Sequence, residues 1–285
     1  MAFIHSERNK GGRWNGPWWN DYRPMLAQLG GAHAAGPEQL NDLLPAGAVS
    51  GGNKSLRFVP ASSVPAVDYE RHIFETGDVS TREDNWHDLF NALVWCRLPR
   101  LKAAMNALHY AHLDEEHAGR RGPQRDALTL LDESGAIVVS CDRALLEALS
   151  MRDWRRAFVD LGCAWSGGSR IVICGHALLE KLLLPYKSIT AHVCLIHLDA
   201  SAHAMQADAL LAWLDQTLAD GLFEGLCRSP ADLSPLPLMG IPRWWPAGSQ
   251  DSAFYADTAV FRPPPAGLQP APIRSLRAAP ASAPP

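Results

Sequence analysis

The residues best equipped for chemistry crowd into one stretch, from Asn85 to His109. At 100° per residue, His87, Asn91 and Trp95 recur at i, i+4 and i+8, with Asp88 close to the same arc. Leu89, Phe90, Leu93 and Val94 take the opposite arc. Beyond Pro99, Lys102, Asn106 and His109 share a narrow face, and Leu101, Met105 and Leu108 share another. His87 suits a general base or a metal ligand, and Asp88 would orient it or bind the metal. His109 is a second acid–base candidate. Lys102 would hold an anionic group, while Asn85, Asn91 and Asn106 would hydrogen-bond a substrate. These types fit hydrolysis or phosphate transfer on a small anionic ligand. Two duller readings compete: a buried polar network that locks the stretch, or a solvated face. Solvated helix faces favour long Glu, Lys and Arg, whereas this face uses His, Asp and Asn, which are mediocre helix formers.

Two helices must present these groups. Asp84 or Asn85 can cap the first, over 84–96, and Pro99 suits the first turn of the second, over 99–112. Lying antiparallel, they would line one cleft. An acidic loop follows from Asp114 to Gly122. Residues 127–131 and 136–140 flank Asp132-Glu133-Ser134-Gly135 and read as a β-hairpin around a turn. Asp126 would then sit at a strand end, where a carboxylate serves equally as ligand, base or ordinary structure; Glu133 reads as turn chemistry. Residues 142–161 read as helix. Residues 170–174 form a short strand that enters a helix at Gly175, and His176 at that junction can assist anion binding or merely cap. Residues 190–198 form another strand, with His192 as a core histidine beside Cys194 and Ile196. A helix follows from Asp199 or Ser201 to about Leu222. The expected fold is α+β, with helices packed on a small mixed sheet of about four strands. Residues 1–54 form an aromatic, Gly/Pro-rich arm, 55–262 a single globular domain that ends in an irregular Pro/Trp-rich wrap over 233–261, and 263–285 a disordered Pro/Ala-rich tail that buries nothing.

Familiar motifs narrow the field. His-Glu-x-x-His and Gly-x-Ser-x-Gly are absent. Gly51-Gly52-Asn53-Lys54 lacks Walker spacing and reads as a turn. His87-Asp88, with His72 upstream and Asp114 or Asp126 downstream, has the pattern of helical His-Asp phosphohydrolases, but those are all-helical and this chain carries strands. His109, His112 and Glu116 have metal-binding spacing in a region that reads as exposed surface. The six cysteines form no Cys-x-x-Cys pair and several lie in apolar runs, which indicates reduced, buried thiols. A net charge of −4 argues against nucleic acid as a partner. No apolar run is long enough for a signal peptide or a bilayer span, so the expectation is a cytoplasmic protein off the membrane. Neither a metal, a cofactor nor an oligomeric state can be read from the sequence.

One resemblance adds to this. Arg82-Glu-Asp-Asn85-Trp86-His87-Asp88-Leu-Phe90-Asn91-Ala-Leu-Val-Trp95, then Pro99-Arg-Leu-Lys102 and Asn106-Ala-Leu-His109, resembles the signature of the bacterial domain-of-unknown-function 3025 family. The likeness continues through Asp126 to Glu133, Gly175-His176, Pro185-Tyr-Lys187 and Gly240-Ile-Pro-Arg-Trp-Trp245, covering most of residues 55–262. That family has no assigned activity, so the resemblance implies a family and no mechanism.

Overall fold

The computed structural model describes residues 14–30, 35–63, 69–113, 122–199, 205–246 and 248–276. Its centre is a mixed sheet of five strands: β3 (Gly135–Ser140), β4 (Ser169–Ile173), β5 (Thr190–Leu198), β6 (Ser234–Pro237) and β7 (Ile273–Leu276). A separate parallel pair joins β1 (Arg57–Pro60) to β2 (Asp78–Thr81). β3 is buried along its whole length, and its Ile137-Val138-Val139 core suits a strand covered on both faces. It runs antiparallel to β4 and parallel to β5. The other edge of β5 is divided. β6 pairs antiparallel with Thr190 to Val193, and β7 pairs parallel with Leu195 to Leu198.

The helices used below are α1 (Arg23–Gln28), α2 (Pro37–Asn41), α3 (Tyr69–Thr76), α4 (Trp86–Arg97), α5 (Pro99–Ala111), α6 (Pro123–Ser134), α7 (Arg143–Ser150), α8 (His176–Lys181) and α9 (Ala207–Phe223). α4 and α5 are the expected pair. The Asn85 side chain caps α4 by accepting from the Asp88 N–H at 3.0 Å, and Pro99 opens α5. The free N–H groups at the start of α5 are met from outside: Asp215 on α9 accepts from Arg100 at 3.1 Å and Leu101 at 2.9 Å. α4 packs on α8, and α5 on α9.

Three expectations are corrected. Residues 123–134 are helix, so the expected hairpin around 132–135 is a helix-to-strand junction. Ala127, Leu128 and Leu131 are all fully buried, and their i, i+1, i+4 spacing places them on one helix face. Of the tail expected to be free over 263–285, residues 273–276 form β7, and Ala271 is buried, its carbonyl accepting from the Ser150 hydroxyl at 2.6 Å; residues 277–285 lie outside the described residues. The helix expected over 142–161 ends as α7 at Ser150, with a π-turn over Arg156–Asp160.

The aromatic arm is pinned by Trp19 and Tyr22, both fully buried, with Trp19 stacked on Phe90. Residues 51–54 are a turn closed by Ser50 N–H to the Lys54 carbonyl at 2.8 Å. The six cysteines are free thiols; Cys96, Cys174, Cys194 and Cys227 are buried as expected, whereas Cys141 is half-buried and Cys163 is exposed. Among the described residues, no helix is long and apolar enough to cross a membrane.

Candidate active site: a histidine pair between three carboxylates

The junctions of β3 and β4 place the site. α6 runs straight into β3, and β4 runs into α8. Because β3 and β4 are antiparallel, with Ala136 opposite Ile173, the end of α6 lies beside the start of α8. Two glycines allow this closeness. The Gly135 carbonyl accepts from the N–H of both Cys174 and Gly175. A Cβ on Gly135 would fall 2.0 Å from the Leu131 carbonyl oxygen, and one on Gly175 would fall 2.4 Å from the Gly135 nitrogen and 2.7 Å from the Glu133 carbonyl oxygen. Asp132 and Glu133, at the end of α6, thereby face His176, the first residue of α8.

α4 completes the group from the other side. His87, in its first turn, brings Nε2 to 3.0 Å from His176 Nε2, with the rings edge to face. His87 Nδ1 lies 3.3 Å from Oε2 of Glu180 on α8. His176 Nε2 is 3.7 Å from Glu133 Oε1, and its Nδ1 is 3.9 Å from Asp132 Oδ2. His176 is buried, and among the described residues its Nδ1 has no hydrogen-bond partner. His87, Glu133 and Glu180 are each more than a third exposed, so the group has a solvent-facing rim and a buried base. Burial pushes His176 down to about 4, against the pull of Asp132, so its imidazole is neutral. Burial, helped by the neighbouring Asp132, raises Glu133 above the ordinary glutamate range. Burial would raise Asp132 too, but Lys102 and His176 outweigh it and hold the carboxyl low.

The remaining expected site residues divide by depth. Lys102 is buried, its Nζ 2.5 Å from Asp132 Oδ1 and 5.3 Å from the centre of the Trp95 ring. Asn106 is buried, donating to the Glu70 carbonyl and carboxylate and accepting from the Gly51 N–H. Asn91 donates to the Tyr69 hydroxyl at 2.8 Å. His109 is buried, and desolvation lowers its pKa. These four lie inside the protein.

Asp88 faces Arg82, accepting from its backbone and guanidinium at 2.7–2.9 Å; burial opposes ionisation, but those contacts hold its carboxyl below the usual range. Asn85 is the α4 cap, and Asp126 lies in the first turn of α6. His112 contacts Gln124, and His192 contacts Ser134. Asp114 and Glu116 lie outside the described residues.

The structure thus brings together His87 and His176 from the expected set and adds Glu133 and Glu180. Glu133 is hidden in the sequence by its turn-like Asp-Glu-Ser-Gly context. Glu180 carries no local signal. Only the packing of α8 on α4 identifies it.

With this geometry in hand, comparison with known proteins gives a family and nothing more. The chain belongs to the family described as "Protein of unknown function (DUF3025)", whose model matches residues 56–264. No curated protein matches it, and no solved structure does. The matched span contains His87, Glu133, His176 and Glu180.

Proposed function

We propose that this chain is a hydrolytic enzyme that works at the His87–His176–Glu133–Glu180 group on a small, anionic substrate. The observation that carries this reading is the contact of two imidazole Nε2 atoms, 3.0 Å apart, at a solvent-facing rim flanked by carboxylates. Polar groups gathered at the surface and backed by the Lys102–Asp132 ion pair are the arrangement of a preorganised site. Water activation is the chemistry these groups perform best, since imidazole and carboxylate both hold or accept a proton near neutral pH. Lys102 does not serve as the anion clamp, because its ammonium is spent on Asp132. Lys181 is exposed and close enough to act on Glu133, which makes it the cation to meet an anionic group at the rim.

The inner residues favour a second role for part of the same stretch. Lys102 and Asn106 are buried and bonded, as a structural network requires, and Asn91 is buried and bonded through its Nδ2 alone. That role suits the inner half and leaves the rim free for catalysis.

The test is a panel of chromogenic carboxyl esters, phosphomonoesters and phosphodiesters, assayed with and without added divalent cations. Turnover of one class should disappear in His87→Ala while the thermal midpoint falls by no more than about 2–4 °C. Turnover unaffected by His87→Ala, or none of any class by the folded chain, overturns the reading.

A further inference from the structure

The geometry of the histidine pair points to an occupant. The Nε2 atoms of His87 and His176 stand 3.0 Å apart. Glu133 Oε1 stands beside them, 3.7 Å from His176 Nε2. Behind the rings, Glu180 Oε2 is 3.3 Å from His87 Nδ1, and Asp132 Oδ2 is 3.9 Å from His176 Nδ1.

We propose that His87, His176 and Glu133 bind one divalent transition-metal ion, of the zinc type, through the two Nε2 atoms and a Glu133 carboxylate oxygen. The three ligand atoms lie within 4.8 Å of one another. Zinc–nitrogen bonds of about 2.0–2.1 Å in a tetrahedral site set the two nitrogens about 3.3 Å apart, so the pair needs only a small opening to receive the ion. Two histidines and a glutamate leave a fourth position for water, as catalytic zinc sites do. The outer contacts agree. Glu180 faces Nδ1 of one ligand and Asp132 faces Nδ1 of the other, and ligating histidines carry just such carboxylates. Lys102 braces Asp132 in turn, so residues of α5, α6 and α8 are linked in a line to the metal position. The inference deepens the hydrolytic reading and rests on it for the metal's use: a bound cation would lower the pKa of its water and give this carboxylate-rich rim a charge that attracts an anionic substrate.

The experiment is metal binding by the full chain, separate from any turnover. Chelator-treated protein is titrated with Zn²⁺ by calorimetry and with Co²⁺ by visible absorption. One equivalent should bind, with the intense Co²⁺ bands of a low-coordinate nitrogen/oxygen site. Glu133→Gln and His87→Ala, both at the exposed rim, should keep the far-UV circular dichroism and lose at least about 100-fold in affinity, more than loss of an outer partner costs. Asp132→Asn should lose about 10–100-fold. His176 is buried, so the two rim positions decide the outcome without it. No binding by the folded chain overturns the inference, and so does binding that Glu133→Gln and His87→Ala leave unchanged. If hydrolysis sensitive to His87 persists without metal, only the metal falls; if one metal binds and no substrate class turns over, only the hydrolytic reading falls.

Discussion

The inner and outer halves of the α4–α5 pair are made of similar residues put to opposite uses. Inside, Lys102, Asn106 and Asn91 each meet a fixed partner away from solvent. At the rim, His87 faces another histidine and two half-exposed carboxylates. The difference teaches that polarity on a helix face identifies neither a cleft nor a network. Depth and pairing decide, and one helix pair can supply both. On the function proposed above, the inner half is the brace and the outer half the working surface.

Substitutions can break that comparison, and the largest effect belongs to the brace. Lys102→Ala leaves the Asp132 charge, its side chain only 15% exposed, without its partner and should cost about 3–5 kcal/mol in denaturant unfolding. Lys102→Met combined with Asp132→Leu should recover most of that loss, since an apolar pair of similar volume removes the stranded charge. A double variant no more stable than Lys102→Ala would show that the pair does more than cancel its own burial.

Core packing gives the yardstick. Leu93→Ala, at a fully buried position of α4, should cost about 2–5 kcal/mol. Asn106→Ala strands the Gly51 N–H and one Glu70 acceptor and should cost about 1–3 kcal/mol, measured the same way. The smallest stability effect belongs to the rim. His87→Ala should cost only about 1 kcal/mol, because the ring is half-exposed and its loss strands a neutral group, His176 Nε2, and no charge. Equal losses for His87→Ala and Lys102→Ala would erase the distinction between the halves.

Much of the fold was legible, for reasons that name themselves. Asn85 and Pro99 are strong helix-start signals, and both helices begin where those residues place them. The strand over 190–198 followed from its apolar run. The misread junction at 132–135 had a physical cause. Residues 127–131 form a short apolar run that fits a strand or a buried helix turn equally well, and Gly135 looks like a turn residue. The glycine is there for closeness to the Leu131 carbonyl and to Gly175, which only the tertiary structure reveals. Reading a turn there set Glu133 aside. His176 was visible because a strand and a glycine precede it. Its partnership with His87 depends on α8 packing against α4, across 89 positions of sequence, and no local pattern encodes that distance.

The divided edge of β5 has a consequence for how the chain is made. During synthesis, β3, β4, β5 and β6 are all made before Ile273–Leu276 is added. Until that segment emerges, the backbone from Leu195 to Leu198 offers unpaired donors and acceptors to any extended chain nearby. A nascent chain, or one cut short before residue 273, is therefore a candidate for pairing with its neighbours on the polysome, and the closing segment works as a built-in seal against that fate.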